Sequence, residues 1–311
     1  MNELLSVVIL HYKQPDLYKT AVDSVLEQDY PCLELIFADD CSKNLDENDV
    51  RKYIEEKKGT NIKNVIYQFN EENVGTIKNI NKALKNSTGR YIIFFAADDR
   101  LCTNNVLSEL MSNKAWEDNS TYFITGQSVM MDWNLDKQLS YFVPEHIVEK
   151  CNTLSPHEIH RELLFQDLFA MGATVFRKEC FEKYGEFDEN LKVIEDWSYF
   201  LDFSKKCESM NGRFEFQNIN VLMHRAGGIS ENGKNINLSK VYIDDMNIIY
   251  ETRVFPYIKE EKNKVRRGKI LLHYLDIASC RRKKLKYMIL NFGICINIIK
   301  RKVFGGKNNN G

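Results

Sequence analysis

The chain of 311 residues is 43% hydrophobic and 28% charged, enough to bury the core of one large α/β domain with an appendage or of two modest domains. A formal net charge of -1 argues against a nucleic-acid-binding protein, although the segment 281–302 carries eight Lys and Arg without an acidic residue and could face an anionic partner. Eight widely spaced cysteines predict free thiols, and without a signal-peptide pattern or a run of 18 apolar residues we expect a cytoplasmic protein with no spanning helix.

The first hundred residues alternate short apolar runs with amphipathic segments. This is the pattern of strands connected by crossover helices in a mostly parallel sheet, so we predict an α/β fold with helices flanking a central sheet. The predicted strands are Ser6–Leu10, Leu33–Ala38, Asn64–Gln68 and Tyr91–Ala96, and the predicted helices lie near Asp16–Gln28, Asp46–Lys58 and Gly75–Asn86.

After Thr103 the alternation becomes less regular. We expect Leu135–Gln166, which is polar and contains two prolines, to form loops and short helices over the site. A domain boundary is placed near residue 231, which separates residues 1–230 from a helical, basic C-terminal region at residues 231–311. The remaining predictions are strands at Thr121–Trp133, Ala173–Arg177 and Phe214–Met223, a short helix at Lys178–Tyr184 and a helix that begins near Glu195.

Three acidic pairs stand at the ends of predicted elements: Asp39-Asp40, Asp98-Asp99 and Glu195-Asp196. A single pair of this kind is often a helix cap or a solvated turn. The first two pairs follow strands, and ligands of open α/β sheets bind outside the carboxyl ends of the strands. We therefore expect both pairs to look into one crevice.

Five blocks of the sequence, in order from about Leu5 to Ser230, resemble the family 2 glycosyltransferases of the GT-A fold. Such an ordered series is more specific than any one block. The blocks are Ser6–Lys13; Leu33–Ser42; Asn73–Asn81 with Gly89–Asp99; Gly172–Arg177 with Gly185–Asp188 and Glu195–Trp197; and His224–Ser230.

The resemblance implies a set of residues around the nucleotide-sugar donor. The turn after the first strand, with His11, meets the nucleotide base, and Asp39, beside Asp40, contacts the uracil. The loop at Gly75 leads into a helix on which Ile80 replaces an arginine that relatives often direct at the donor. Lys78 could supply that charge or be solvated. Arg225 and Ser230 match a loop that closes over the diphosphate.

The resemblance also implies a metal site and a catalytic base. Asp98 aligns with the metal-binding aspartate, with Asp99 beside it, while Ala96 replaces the first aspartate of the D-x-D motif. The metal expected is Mn²⁺ or Mg²⁺, and His224 could reach it or be an ordinary surface histidine. Asp196 aligns with the base that deprotonates the attacking hydroxyl, with Glu195 as helper; the alternative is that Asp196 caps its helix.

The resemblance therefore predicts an inverting, metal-dependent glycosyltransferase. It would move a sugar from a nucleotide-diphosphate donor, a UDP-sugar, to a saccharide or lipid-linked acceptor in bacterial surface polysaccharide or glycolipid assembly. The basic C-terminal region either packs on the catalytic domain or lies on the inner face of the membrane. Two rivals remain: a catalytically degenerate nucleotide-sugar-binding protein, and a sugar nucleotidyltransferase, which would require a glycine-rich loop that residues 11–15 lack.

Overall fold

The structure is a computed structural model that describes residues 2–14, 17–209, 211–227, 240–258, 266–268, 270–271 and 274. Its strands are β1 Leu5–His11, β2 Leu33–Asp39, β3 Ile62–Phe69, β4 Tyr91–Ala96, β5 Arg100–Leu101, β6 Thr121–Met131, β7 Gln138–Tyr141, β8 Thr174–Arg177 and β9 Arg213–Arg225. Its α-helices are α1 Tyr18–Leu26, α2 Glu47–Lys57, α3 Thr76–Asn86, α4 Val106–Met111, α5 Glu145–Cys151, α6 Pro156–Leu163, α7 Glu179–Tyr184, α8 Glu195–Ser209, α9 Lys240–Ile249 and α10 Phe255–Ile258.

The strands form one sheet in the order β3-β2-β1-β4-β8-β6-β9-β5, with β7 paired to β6. The first four strands run parallel, as crossover helices require, and β6 and β9 are also parallel. Antiparallel pairs join β4 to β8, β8 to β6, and β5 to β9. The predicted α/β class, with helices flanking a central sheet, is confirmed.

The sheet is buried on both faces, which explains the near-continuous apolar runs of its first strands. On β1, Val7 and Ile9 belong to the cluster that also contains residues of α1, α2 and α4. Val8, between them, belongs to the opposite cluster, with α3 and α6 to α10. Alternate side chains of one strand therefore pack on two helical layers.

The parallel register brings three strand ends to one edge of the sheet. His11 at the end of β1 lies beside Asp39 at the end of β2, and Leu10 lies beside Ala96 at the end of β4. The loops that follow these strands therefore begin at the same edge, and the expectation that the first two acidic pairs look into one crevice stays a prediction. This edge is where an α/β sheet offers a binding crevice.

The predicted elements are confirmed, with boundaries shifted by up to a few residues. β5 and β7 were not predicted. β5 has two residues, and all four residues of β7 are exposed, so neither shows an apolar alternation. The expected loops and short helices of Leu135–Gln166 are present as α5 and α6, which follow the unpredicted β7.

The described residues beyond 231 pack on the rest of the fold. Tyr250 and Tyr274 are buried in the cluster that contains Trp197. Arg253 forms ion pairs with Asp188 at 2.7 Å and with Asp202 at 2.9 Å. The basic segment 281–302 lies outside the described residues, and the division at residue 231 stays a prediction.

Among the described residues, no helix combines the length and the apolar composition that a membrane span needs.

Glu34 connects neighbouring strands and the loop before β4 at the opposite end of the parallel sheet. Its carboxylate is fully buried on β2 and accepts hydrogen bonds from Ser6 Oγ at 2.6 Å, Thr88 N at 2.8 Å, Thr88 Oγ1 at 2.7 Å and Asn64 Nδ2 at 3.0 Å. Burial raises the pKa of Glu34, but these hydrogen bonds outweigh it and the pKa is lowered. The folded state therefore favours the ionised form.

We predict that Glu34→Gln lowers the free energy of unfolding by about 1–3 kcal/mol at pH 7. The four donors now bond to two carboxylate oxygens, whereas the glutamine amide has only one acceptor oxygen. Urea unfolding measures the loss. Because the folded pKa lies below the ordinary 4.5, the difference from wild type should persist above about pH 4.5 and shrink as the pH falls through the folded pKa. A difference that grows in acid would contradict this assignment.

Candidate active site

The loop after β1 and the loop after β2 meet through a buried group of three side chains. His11 Nδ1 lies 2.6 Å from Asp39 Oδ1, and Asp39 also accepts hydrogen bonds from Ser42 Oγ at 2.6 Å and Ser42 N at 2.8 Å. Burial raises the pKa of Asp39, but hydrogen bonds from His11 and Ser42 outweigh it and the pKa is lowered. Asp39 is thus an ionised carboxylate that already has donors from its own chain.

The second nitrogen of the His11 imidazole, Nε2, lies in a different environment from Nδ1. His11 Nε2 is buried and has no hydrogen-bond partner in the described part of the chain. An unsatisfied buried nitrogen costs free energy unless a ligand or water reaches it. The expected contact of Asp39 with a uracil stays a prediction, and His11 Nε2 is an unused polar atom beside it.

Asp40 organises the loop before α3. Its two oxygens accept hydrogen bonds from Val74 N and Gly75 N, both at 2.8 Å, and from Asn70 Nδ2 at 3.1 Å. Gly75 has a φ of 90°, a conformation that favours glycine. Asp40 therefore holds the start of α3 against β2.

Two residues of α3 bear on the prediction of a charged contact with the donor. Ile80, at the position of the arginine in relatives, is fully buried in the core. Lys78 is exposed on the same helix. The substitution at residue 80 has thus placed an apolar side chain inside the fold, and the contact of Lys78 with a donor stays a prediction.

Asp99 joins the loop after β4 to the end of β9. Its Oδ2 lies 2.9 Å from His224 Nδ1, and its Oδ1 accepts a hydrogen bond from Arg225 N at 2.9 Å. The carboxylate is 3% exposed. Its oxygens are therefore directed at β9, and the imidazole of His224 is oriented by a carboxylate behind it.

Asp98 differs from its neighbour because it is only partly buried. Burial raises the pKa of Asp98, and the negative charge of Asp99 raises it further. Its own backbone, His224 and Gln14 lower the pKa by less, so the net shift is upward. The positive charge and hydrogen bonds around Asp98 are thus too weak to offset its burial and the negative charge of Asp99.

Arg225 is buried beneath this loop and holds it in place. Its Nε donates to the Asp98 carbonyl at 2.8 Å, and its Nη1 donates to the Trp133 carbonyl. The guanidinium also lies over the Trp133 indole, 5.5 Å from the ring centroid. Trp133 itself is 52% exposed. Arg225 thus lies at the predicted site, with donors engaged by the protein, and its contact with a diphosphate stays a prediction.

The third acidic pair opens α8. Asp196 Oδ1 accepts a hydrogen bond from Trp197 N at 2.8 Å, and Trp197 Nε1 donates to the Leu163 carbonyl at 2.7 Å. Asp196 is therefore fixed to the end of α6 through its neighbour. Burial raises the pKa of Asp196, although hydrogen bonds from Trp197 and Asp167 and the charge of His224 lower it in part.

Asp167 is a site residue that the sequence analysis missed. It lies in the segment between α6 and β8, near enough to Asp196 for the charge of that residue to act on it. Burial raises the pKa of Asp167 well above the ordinary value, and the charge of Asp196 raises it further. The available signal was a single aspartate in the apolar run 163–171, since an unpaired charge is rarely buried without a reason.

Glu195 differs from the carboxylates of the crevice in its hydrogen bonding. Its Oε2 is buried and has no hydrogen-bond partner among the described residues. Burial and the charges of Asp196 and Asp245 raise the pKa of Glu195 to about 8. Asp245, on α9, accepts hydrogen bonds from the backbone at residues 192–194. Glu195 is therefore a neutral acid at pH 7.

The second and third acidic pairs are linked electrostatically through His224, because a positive charge on its imidazole lowers the pKa of both Asp98 and Asp196. Ser230 lies outside the described residues. Within those residues, no cluster of three or more His, Cys, Asp or Glu is arranged to hold a metal ion. Trp133, Asp167 and Asp245 were not predicted as parts of this region.

Comparison with known proteins identifies the relatives of this arrangement. The model of Glycosyl transferase family 2 matches residues 6–185. The putative teichuronic acid biosynthesis glycosyltransferase TuaG of Bacillus subtilis is 34% identical over 127 residues, which are 41% of this chain and 48% of TuaG. The UDP-Glc:alpha-D-GlcNAc-diphosphoundecaprenol beta-1,3-glucosyltransferase WfaP of Escherichia coli is 31% identical over 125 residues, 39% of this chain and 47% of WfaP. The alignments thus span about half the length of these two relatives.

Two solved structures share the fold. S. aureus TarS 1–349 in complex with UDP-GlcNAc matches with a TM-score of 0.55 at 15% identity, over 88% of this chain and 80% of that one. The mannosyltransferase PcManGT of Pyrobaculum calidifontis, in complex with GDP-Man and Mn²⁺, matches with a TM-score of 0.52 at 15% identity, over 95% and 86%. The predicted GT-A glycosyltransferase fold is confirmed.

The two neighbouring aspartates of the β4 loop should respond oppositely to loss of charge. We predict that Asp99→Asn lowers the free energy of unfolding by about 1–3 kcal/mol, because its two donors lose a buried carboxylate. Asp98→Asn should raise it at pH 7, because the raised pKa means that the folded state disfavours the charged form.

Urea unfolding in buffer with EDTA measures both effects without bound metal. The gain from Asp98→Asn should shrink as the pH falls through the raised pKa of Asp98, since the wild-type carboxyl then becomes neutral as well. Equal destabilisation by both substitutions would show that the two carboxylates are held alike, contrary to this account.

Proposed function

The chain belongs to Glycosyl transferase family 2, whose model matches more than half of its residues, and on this basis we propose that it transfers a sugar from a UDP-sugar to an acceptor hydroxyl with inversion. The complex of TarS with UDP-GlcNAc supports the choice of a uridine nucleotide. The crevice edge at His11 and Asp39 is the proposed binding place of the base.

The observation that carries the proposal is the contact of His224 Nδ1 with Asp99 Oδ2 at 2.9 Å, which holds the imidazole at the loop after β4 that also carries Asp98. A positive charge on this imidazole lowers the pKa of Asp98 and also that of Asp196, at the start of α8. A transferase needs a donor-side group for the leaving diphosphate and an acceptor-side base close to it. We assign Asp98 to the donor side and Asp196 to the acceptor side.

The donor-side residues fit a sparse divalent-cation site. Mg²⁺ and Mn²⁺ at phosphate sites take one or two protein ligands and complete their shell with phosphate oxygens and water, so a cluster of three side chains is not required. Asp98 and His224 would hold the ion, and Asp99 would orient the imidazole from behind, as carboxylates do for histidine ligands. When bound, the ion supplies positive charge to the leaving diphosphate. The Mn²⁺ in the PcManGT complex supports this choice.

The acceptor-side residue is Asp196, which we assign as the general base. The proton of an attacking hydroxyl becomes acidic only as the new bond forms, so a carboxylate is basic enough in the transition state. Attack from the face opposite the diphosphate gives inversion. Glu195 stands beside Asp196 at the start of α8. Because its pKa is raised to about 8, it is protonated at pH 7 and does not act as a second base.

The acceptor is proposed to be a saccharide or a lipid-linked saccharide. WfaP acts on a diphosphoundecaprenol-linked sugar, and TuaG is named for teichuronic acid biosynthesis. Both support a role in bacterial polysaccharide or glycolipid assembly, which we place at the cytoplasmic face of the membrane. We propose that the basic segment 281–302 makes the membrane contact.

A degenerate, nucleotide-sugar-binding protein is the second candidate, because two donor-side positions have changed. Ala96 ends β4 where relatives have an aspartate, and Ile80 is buried where relatives have an arginine. The retained Asp98, His224 and Asp196 favour the enzyme. A catalytic assay separates the two candidates.

We predict that the purified chain releases UDP from UDP-sugars in the presence of Mn²⁺, and that Asp196→Asn lowers the rate by about 10²–10⁴-fold, the usual contribution of a general base. Coupled detection of UDP with a panel of donors measures this. Asp136→Asn, at an exposed position of the β6–β7 hairpin, is the matched control and should keep wild-type activity. If the wild type released UDP no faster than Asp196→Asn with every donor tested, the chain would be a nucleotide-sugar-binding protein and not a transferase.

We also predict that EDTA abolishes UDP release and that Mn²⁺ restores it. Titration of Mn²⁺ in the presence of UDP, followed by electron paramagnetic resonance, should show affinity lost in Asp98→Ala and weakened about tenfold in Asp99→Asn, which disturbs only the residue behind His224. Unchanged Mn²⁺ affinity in Asp98→Ala would remove Asp98 from the metal site.

A further inference from the structure

Trp133 is a large aromatic side chain that is exposed at the rim of the candidate site. It lies in the turn between β6 and β7, and it is 52% exposed. The other two tryptophans of the chain, Trp116 and Trp197, are only 9% and 5% exposed. Trp133 is therefore the one tryptophan of this chain whose indole can meet a ligand from solvent.

The indole of Trp133 is held in place by the end of β9. The guanidinium of Arg225 lies over the ring, 5.5 Å from its centroid, and Arg225 Nη1 donates to the Trp133 carbonyl. The backbone of Gly227 also lies along the ring, because a Cβ built there would be 3.7 Å from Trp133 Cε3. The ring is thus fixed from the protein side while more than half of the residue stays exposed.

The turn that carries Trp133 is closed by its own hydrogen bonds. Asp132 Oδ1 accepts from Asp136 N at 2.9 Å and from Lys137 N at 3.0 Å, and the Asp132 carbonyl accepts from Leu135 N at 3.1 Å. A ligand that binds to a surface already ordered loses less conformational entropy from the protein. The indole is therefore preorganised for contact.

The sheet topology places Trp133 at the same edge as the proposed donor site. Strand β8 is antiparallel to both β4 and β6, so β6 runs in the direction of β4 and ends at the same edge. Trp133 follows the end of β6 by two residues. Arg225 connects it to the loop after β4, because Arg225 Nε donates to the Asp98 carbonyl at 2.8 Å. Trp133 is thus two contacts away from the proposed metal ligand.

The order of the strands indicates which part of the substrates lies near this indole. In the sheet, β1 and β2 stand on one side of β4, and β6 stands on the other. The proposed site of the nucleotide base is at the ends of β1 and β2, and that of the diphosphate is at the loop after β4. The groups that lie beyond the diphosphate, as seen from the base, are sugars.

We propose that Trp133 binds the acceptor: its exposed surface stacks against a pyranose ring of the acceptor saccharide. This inference rests on the proposed function, in which the chain transfers a sugar. The C–H bonds on one face of a pyranose are weakly positive and suit the negative face of an aromatic ring. The donor sugar has its anomeric carbon between the diphosphate and Asp196, whereas an acceptor must extend from there to solvent, where Trp133 is exposed.

The contact can be tested without catalysis by acrylamide quenching of tryptophan fluorescence. Because Trp116 and Trp197 are buried, the quenchable emission should come from Trp133 and be absent in Trp133→Phe. The probes are methyl glycosides of glucose and N-acetylglucosamine, and the α-N-acetylglucosaminyl diphosphate of a short alkyl alcohol, which resembles the acceptor named for WfaP. With UDP and Mn²⁺ present, we expect at least one probe to protect Trp133.

Other occupants of this surface would give other results. Protection by UDP alone would place the nucleotide on Trp133, and protection by UDP-GlcNAc but by no acceptor probe would place the donor sugar there. Protection by vesicles of phosphatidylethanolamine and phosphatidylglycerol, but by no saccharide, would make the turn a lipid contact. Each of these results, and a lack of protection by every probe, would overturn the proposal.

The role in the reaction is tested by the KM of the best acceptor probe. Trp133→Ala should raise it by about tenfold, while Trp133→Phe, which keeps an aromatic face, should stay within about threefold of wild type. Trp133→Leu keeps an apolar cover over Arg225 but has no aromatic face, so it should behave like Trp133→Ala. If Trp133 only packed on Arg225, Trp133→Leu would keep the wild-type KM and the proposal would be wrong.

Tyr141→Ala is the matched control, because Tyr141 is a 42% exposed aromatic residue on the same hairpin but pairs with Val129, away from Arg225. It should keep the wild-type KM for the acceptor. An equal rise of KM in Tyr141→Ala would assign the effect to the whole hairpin and contradict a specific role of Trp133. The affinity for UDP with Mn²⁺ should change less than twofold in Trp133→Ala.

The outcomes separate this inference from the proposed function. If Asp196→Asn loses activity but Trp133→Ala keeps the wild-type KM for the acceptor, the transferase stands and the role of Trp133 falls. If the wild type transfers no sugar but a saccharide probe protects Trp133, the proposed function fails and the saccharide contact stands.

Discussion

The site depends on the buried carboxylate of Asp99, which joins the end of β4 to the end of β9. It takes one hydrogen bond from the imidazole of His224 and one from the backbone of Arg225. Because β4 belongs to the parallel half of the sheet and β9 to the mixed half, this contact connects the two halves next to the short β5–β9 pairing. It orients the imidazole of His224 at the loop that also carries Asp98.

The acidic residues of the site divide into two groups according to the positive charge and donors around them. Asp39, Asp40 and Asp99 are each held by hydrogen bonds from neighbouring strands and loops and fix the shape of the crevice. Asp98, Asp167, Glu195 and Asp196 have raised pKa values because burial is not fully compensated. Uncompensated carboxyls reduce stability, and their concentration at one crevice is typical of a functional site.

Much of this arrangement could be predicted from the sequence, because the parallel strands are continuous apolar runs and acidic pairs follow them directly. The different roles of the two residues within each pair could not be predicted from the sequence. Asp98 and Asp99 are identical in type, and only the register of β9 decides which one is turned toward His224. Asp167 was missed because its partner lies 29 residues away (167 to 196) and the contact depends on how α6 and α8 pack. β7 was missed because it is exposed on every residue.

Asp98 and Asp196 are proposed to serve the two ends of one glycosyl transfer, and a crystal structure of the Asp196→Asn variant with Mn²⁺ and the UDP-sugar it accepts would show both ends at once. We expect the metal to be bound by Asp98 and the diphosphate, and residue 196 to face the anomeric carbon from the side opposite the diphosphate. A nucleotide bound away from Asp98, or a sugar with residue 196 on its diphosphate side, would contradict it.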